Sequence, residues 1–371
     1  MPFCYSPWTN IDISPSGDMT PCCKFRSQQD KFNIQLHSID KYKNSKFIAD
    51  IKQQFLNDQW PVECERCRIE ENSGIESKRL LDNTRWHEYY KKYDLFSDSF
   101  ITSSVAFGNT CNLKCITCGP SSSSRWQKEY HHIYGKNIIP FRFYKKDFIK
   151  DFVLAAPNMR HIDIPGGEPF LSGIQEQKKL LEYYILSNQA KNISLHYTTN
   201  ATTWPDDEWW QLWQNFKEID LQLSIDGIEK RYEYIRYPAN WDNIVAHTKL
   251  YLEQQSNLLN FKLSVSHTVS AYNIYYLDEF FTWCYNIGLP RPWLGRVHNP
   301  IFMRPTVWPN DIKFKIINKL NASQHQDICN WVKLLVNEDD SEHFDEFKTR
   351  THAHDQYRKI SFENTFPELE I

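Results

Sequence analysis

From Ile101 onward, short runs rich in β-formers alternate with longer stretches of helical spacing. ITSSVAFGN (101–109), RHIDIP (160–165), ISLHYTTN (193–200), IDLQLSIDG (219–227), FKLSVSHTV (261–269) and RPWLGRV (291–297) read as strands. Helical stretches are predicted after Ser121, at Gln175–Leu186, at Asp206–Phe216, and over 241–254 and 275–286. Strands separated by helices of this length predict right-handed βαβ units and a parallel sheet. The fold class expected is therefore α/β. Six successive units suit a partial (β/α)6 TIM-like barrel, with a doubly wound sheet as the alternative. Residues 1–100 lack this rhythm and show two amphipathic helices, KYKNSKFIADIKQQFL (41–56) and Ser77–Tyr93. The organisation expected is a small N-terminal domain (1–100), the β/α core (101–300) and a helical C-terminal extension (301–371) packed on it.

Composition narrows the function classes. The 371 residues carry 43 basic and 46 acidic side chains, a net charge of −3. Binding to a polyanion needs clustered Lys and Arg, so no nucleic-acid partner is expected. No run approaches a membrane span, and the opening MPFCYSPWTN has neither a basic nor an apolar leader segment. A cytoplasmic location, with thiols kept reduced, is the expectation. The ten Cys are clustered: Cys4, Cys22, Cys23, Cys64 and Cys67 come early, Cys111, Cys115 and Cys118 fall together, and Cys284 and Cys329 stand apart. Clustered reduced thiols point to metal or redox chemistry.

Four polar strings follow strand ends, where an α/β fold gathers its active site. They are CNLKCITC, GGEP (166–169), TTN (198–200) and SIDG (224–227). Cys111, Cys115 and Cys118 form C-x3-C-x2-C, a set that can hold three irons of a 4Fe–4S cluster and leave the fourth open. A zinc site is the competing reading, with His131 and His132 as candidates for the missing ligand.

C-x3-C-x2-C after the first strand and GGEP after the second resemble the signature of radical SAM enzymes. The likeness runs through Thr198-Thr199-Asn200, SIDG with Arg236 in YEYIRYP, and SHTVSAYN (266–273), about residues 101–300. It implies S-adenosylmethionine on the open iron, reductive cleavage to a 5′-deoxyadenosyl radical, and hydrogen abstraction from a substrate. It further implies that Gly166, Gly167, Glu168 and Pro169 meet the methionine amino group. Asn200, Ser224 and Asp226 would meet ribose and carboxylate, and Arg236 would pair with the carboxylate. One departure is Thr117, where relatives usually carry an aromatic before the third Cys.

The early Cys resemble the opening of a SPASM or twitch domain: Cys4-x12-Gly17-x4-Cys22, then Cys64-x2-Cys67. The likeness implies an auxiliary 4Fe–4S cluster on Cys4, Cys22, Cys64 and Cys67 in an electron-transfer role, with Cys23 spare. A structural zinc knot on the same four is the alternative. The order, with this segment before the core, resembles radical SAM proteins having an N-terminal twitch domain. A reductant such as flavodoxin or ferredoxin is implied as partner. Relatives of this kind act on peptides, proteins, nucleotides and small molecules, so a peptide or protein side chain ranks first and a sugar-, nucleotide- or aminoglycoside-like compound second. The reading from another class is a non-catalytic zinc or iron–sulfur interaction or electron-carrier protein. Trp204, Trp209, Trp210 and Trp213 read as a packed helix side, and the acidic tail (338–371) as a solvated face with an FPEL anchor. Asp163 and His196 read as inward-facing polar residues, more readily hydrogen-bonded core than general bases.

Overall fold

The computed structural model describes residues 2–26, 32–72, 76–91, 99–137 and 147–371. It is an α/β protein with parallel strands. All six expected strands are present: β4 (Thr102–Val105), β5 (His161–Ile164), β6 (Ser194–Thr199), β7 (Glu218–Ser224), β8 (Phe261–Val269) and β9 (Trp293–Arg296). Three more precede them: β1 (Asn10–Ile13), β2 (Asp18–Thr20) and β3 (Phe32–Asn33). The expected helices form at Ile174–Leu186, Asp207–Trp213, Trp241–Asn257 and Leu277–Asn286. The stretch at 41–56 breaks into Ile39–Lys43 and Lys46–Leu56, because Ser45 caps the second helix through Ile48 N–H. The helix expected over Ser77–Tyr93 is Lys78–Arg85 followed by His87–Tyr90, and Tyr93 lies outside the described residues. No described helix is long and apolar enough to cross a membrane.

The chain divides into two units. The first comprises Met1–Asn109, Phe141–Tyr197 and Asp206–Ile219, and the second Thr110–Pro140, Thr198–Pro205 and Asp220–Ile371. Residue 100 falls inside the first unit.

In the first unit the strand order is β3-β2-β1-β4-β5-β6. β1 turns back on β2 through Gly17, whose φ of +87° suits glycine, and pairs in parallel with β4. The registers align Asn10, Thr102, His161 and Ser194 in one row, and Asp12, Ser104, Asp163 and His196 in the next. Residues two apart on a strand share a face, so both rows lie on the same side of the sheet. The opposite side carries Ile11, Ser103, Ile162 and Leu195, then Ile13, Val105, Ile164 and Tyr197, all at most 1% exposed. One face is core and the other is entirely polar. Phe170, Tyr197, Trp209 and Trp213 stack in the core of this unit, so the Trp-bearing helix packs as expected.

In the second unit β7, β8 and β9 run in that order, with β8 and β9 parallel. Its C-terminal core gathers Tyr272, Trp308, Phe347, Phe362 and Phe366. The FPEL anchor is real, with Phe366 and Leu369 buried.

Candidate functional site

The three-cysteine loop lies in the second unit and is fastened at both ends. Lys114 N–H donates to Tyr237 O at 2.8 Å and Ile116 N–H to Ile235 O at 2.7 Å. Cys118 N–H closes a turn on Cys115 O, and Trp126 Nε1 donates to the same carbonyl at 3.1 Å. Leu113 N–H points at Cys111 Sγ from 3.4 Å, and Asn200 Nδ2 stands 3.6 Å from it. Asn200 also donates to Asn112, and Asn112 to Thr202, so the segment 200–202 is tied to the loop within the second unit. Cys115 and Cys118 share a hydrogen bond that pushes the Cys115 thiol up and holds Cys118 down. Arg236 lies close enough to favour the anion at both.

Arg236 is 8% exposed and ion-paired with Asp226, Nη2 to Oδ2 at 2.7 Å. Burial disfavours its charge, but Asp226 outweighs burial and holds the guanidinium protonated. Asp226 is fixed in turn by Thr268 N–H at 2.7 Å, and its carbonyl by Asn273 Nδ2. Arg236 Nε is buried without a hydrogen-bond partner. A buried donor left unmatched is costly, so this atom invites an acceptor. Ser224 Oγ stands 3.5 Å from Ser266 Oγ nearby in the sheet. Of the expected residues, Cys111, Cys115, Cys118, Asn200, Asp226 and Arg236 are therefore linked within one unit.

The sequence did not single out the shell behind the loop. Glu129 is fully buried and meets Lys114 Nζ at 2.6 Å, His354 Nδ1 at 2.9 Å and Arg358 Nε at 2.7 Å. Lys114, inside the cysteine motif, also sits against the Tyr237 and Tyr357 rings. Arg358 NH2 donates to Lys114 O, which anchors the motif's backbone to helix Phe344–Arg358. His267 was missed too: buried, its Nδ1 on Ile225 O, it is pushed down to about 4 by burial and is neutral. Besides lying in SHTVSAYN, its sequence signal is a polar residue in the apolar half of the alternation, in line with Phe261, Leu263, Val265 and Val269.

GGEP belongs to the first unit. Gly166 has φ +93°, and a Cβ there would stand 2.6 Å from Ala106 Cβ, so only glycine fits. Glu168 is fully buried, and Gln177 Nε2 holds Pro169 O and Ser172 O at 2.7 Å each.

The four early thiols also lie in the first unit. Cys4, Cys22, Cys64 and Cys67 line one cavity with Lys78 and Arg79. Burial pushes Cys4 up to about 11 and raises Cys22, Cys64 and Cys67 as well. Arg79 grips Glu71 and Phe3 O, and Asn83 Nδ2 donates to Phe3 O, which fixes the irregular segment bearing Cys4. Cys23 is exposed and does not line the cavity. Among the described residues, no three His, Cys, Asp or Glu side chains gather tightly enough to hold a single metal ion. A cluster spreads its thiolates over several irons, so a shared cavity of soft donors suits it, and these four thiols line one. Thiols this buried stay protonated unless a metal replaces the proton, and Lys78 and Arg79 offset the charge that thiolates would bring.

No family model matches the chain, and no curated protein is similar to it. Among solved structures it is similar to native anSMEcpe with bound AdoMet, at 17% identity and a TM-score of 0.46, over 62% of this chain and 63% of that one. It is similar to Streptococcus suis SuiB bound to S-adenosylmethionine at 15% identity and TM-score 0.41, over 87% and 65%. It is also similar to TYW1 with a lysine-pyruvate adduct bound, at 14% and 0.36, over 71% and 90%. The chain spans less than two thirds of the length of the first two.

Proposed function

We propose that this chain is a radical SAM enzyme with a catalytic 4Fe–4S cluster on Cys111, Cys115 and Cys118. The observation that carries the reading is the fastened three-cysteine loop beside a buried arginine with an unmatched donor. When bound, the cluster and S-adenosylmethionine would supply a 5′-deoxyadenosyl radical able to abstract hydrogen from an unactivated C–H bond. The protein's part is to hold and shield. Arg236 Nε offers a hydrogen bond to the methionine carboxylate, Asp226 keeps the guanidinium in place, and Asn200 steadies the loop at Cys111. Gly166, Gly167, Glu168 and Pro169 bind the methionine amino group, and Ser224 contributes to the ribose contact. Cys4, Cys22, Cys64 and Cys67 hold an auxiliary 4Fe–4S cluster that moves electrons, fed by a flavodoxin- or ferredoxin-like donor. A peptide or protein side chain ranks first as substrate, a small polar molecule second.

The test is direct. Anaerobically prepared protein should be brown, hold about eight irons per chain, two cubanes' worth, and form 5′-deoxyadenosine and methionine under reduction. Colourless protein holding zinc would establish the non-catalytic alternative instead.

A further inference from the structure

The polar face of the first unit is unaccounted for by either cysteine set. Parallel strands normally present apolar residues on both sides, because both are covered. Here two successive rows across β1, β4, β5 and β6 are polar, while the reverse side is sealed core. The members of these rows bond one another in part, Thr102 Oγ1 to Asn10 Oδ1 at 2.8 Å, Ser104 to Asp12 and His161 to Asp163, while Asp163, Ser194 and His196 stay only half-buried.

The inner row places Ser104 between Asp12 and Asp163, with His196 beyond. Neighbouring strands are about 4.8 Å apart, so the two carboxylate-bearing Cα atoms stand roughly 10 Å apart. That is the reach of a six-membered polyol ring with a hydrogen bond at each end. His161 Nε2 meets Asp163 Oδ1 at 2.7 Å, yet 33% of the Asp163 side chain remains open to solvent. His161 itself is 4% exposed, and its Nδ1 has no hydrogen-bond partner. Lys78 is committed to Asp82 at 2.8 Å, while its charge reaches both Asp12 and Asp163.

The two carboxylates are pushed apart in character. Burial raises Asp12 to about 6. At Asp163 burial is outweighed by His161, then His196 and Lys78, which hold it below the usual carboxylate range. Asp163 is thus favoured as the anion and Asp12 disfavoured, a division often seen where ligands are handled.

We propose that this face binds a small polyhydroxylated amine, Asp163 receiving its ammonium group and Asp12 and Ser104 its hydroxyls. Anionic ligands are disfavoured by the paired carboxylates, and apolar ones by the desolvation of two polar rows. Hydroxyls fit because they can donate to the carboxylates and to Ser104 Oγ, whose own proton is given to Asp12. Binding is a property of this unit alone; only its role as the substrate site rests on the radical reading.

Glucosamine is the probe, titrated calorimetrically into anaerobically prepared protein, with glucose in parallel. Saturable glucosamine binding, weaker for glucose and about tenfold weaker in Asp163→Asn and in Asp12→Asn, is the expected result, since each loses a charge-assisted hydrogen bond. Ser104→Ala, a single lost hydroxyl, serves if the carboxylate variants do not fold, and should also weaken binding. No saturable heat up to about 50 mM, beyond ordinary weak binding, would overturn the site. So would affinity undiminished in the variants, and equal affinity for glucose would overturn the ammonium assignment. Iron content and 5′-deoxyadenosine formation are measured on the same samples, so sugar binding without them leaves the site standing and the enzyme reading fallen.

Discussion

Arg236 and Asp226 form a pair in which neither can be removed alone without stranding the other. Asp226 is 1% exposed, and its charge is balanced by a guanidinium 2.7 Å away and one backbone N–H. Breaking a buried pair by deleting one partner typically costs about 3–5 kcal/mol. Arg236→Ala should therefore lower the melting temperature and weaken S-adenosylmethionine binding. The double variant Arg236→Ala, Asp226→Asn separates the two effects: it should recover most of the stability but none of the affinity. Calorimetric melts and cofactor titration of both variants check this, and recovered affinity would place the guanidinium in a purely structural role. The cysteines, GGEP and Arg236 were legible because their chemistry demands rare residues at fixed spacing. Thr268 and Asn273 lie inside SHTVSAYN (266–273), but their role in holding Asp226 and its backbone was not legible, since a backbone N–H and an ordinary amide leave no mark on a sequence.

Alternation told where strands β4 to β9 lie, and of its polar half Asp163 and His196 read as inward-facing, hydrogen-bonded residues. The registers show that the polar halves of four strands coincide on one surface. That depends on β1, four residues long and paired with a strand 92 positions later. No local period encodes a pairing of that separation, so β1 to β3 were not expected. Helix Phe344–Arg358 was likewise read as a solvated acidic face, whereas Thr351, His354, Asp355 and Arg358 are buried. Its inward residues make it the strut of the cysteine loop. At Glu129 burial opposes ionisation, but the His354 bond, then Arg358 and Lys114, hold the carboxyl down to about 2. Burial also lowers His354. Both groups bind protons more readily unfolded than folded, so their contribution is complete above about pH 6.5 and is lost as pH falls toward 2. Glu129→Gln strands Lys114 and Arg358 and should cost about 3–5 kcal/mol at neutral pH. The loss should shrink on acidification, because the wild type gives up the same interaction. Melts of both proteins from pH 7 down to about pH 3 measure it, and a pH-independent difference would assign the cost to packing.

Each unit carries its own thiol set and its own means of holding it. In the second, Glu129 with Lys114, His354 and Arg358 braces the loop of Cys111, Cys115 and Cys118. In the first, Arg79 and Asn83 clamp the backbone at Phe3 beside Cys4, and a hydrophobic cluster of Trp8, Phe25, Ile51 and Phe55 packs around the cavity. Each bracing set is drawn from its own unit. Loss of one metal centre should then leave the other intact. Cys64→Ala with Cys67→Ala removes half of the early ligands and should drop iron from about eight to about four per chain, one cubane. Under strong chemical reduction such protein should still cleave S-adenosylmethionine, while product formation on the native substrate stops. Iron analysis with both product assays decides the matter. Unchanged iron would show that the early thiols hold no cluster. Normal product with half the iron would show that they hold one without an electron-transfer role. Loss of cleavage together with the iron would show that the two centres stand or fall as one.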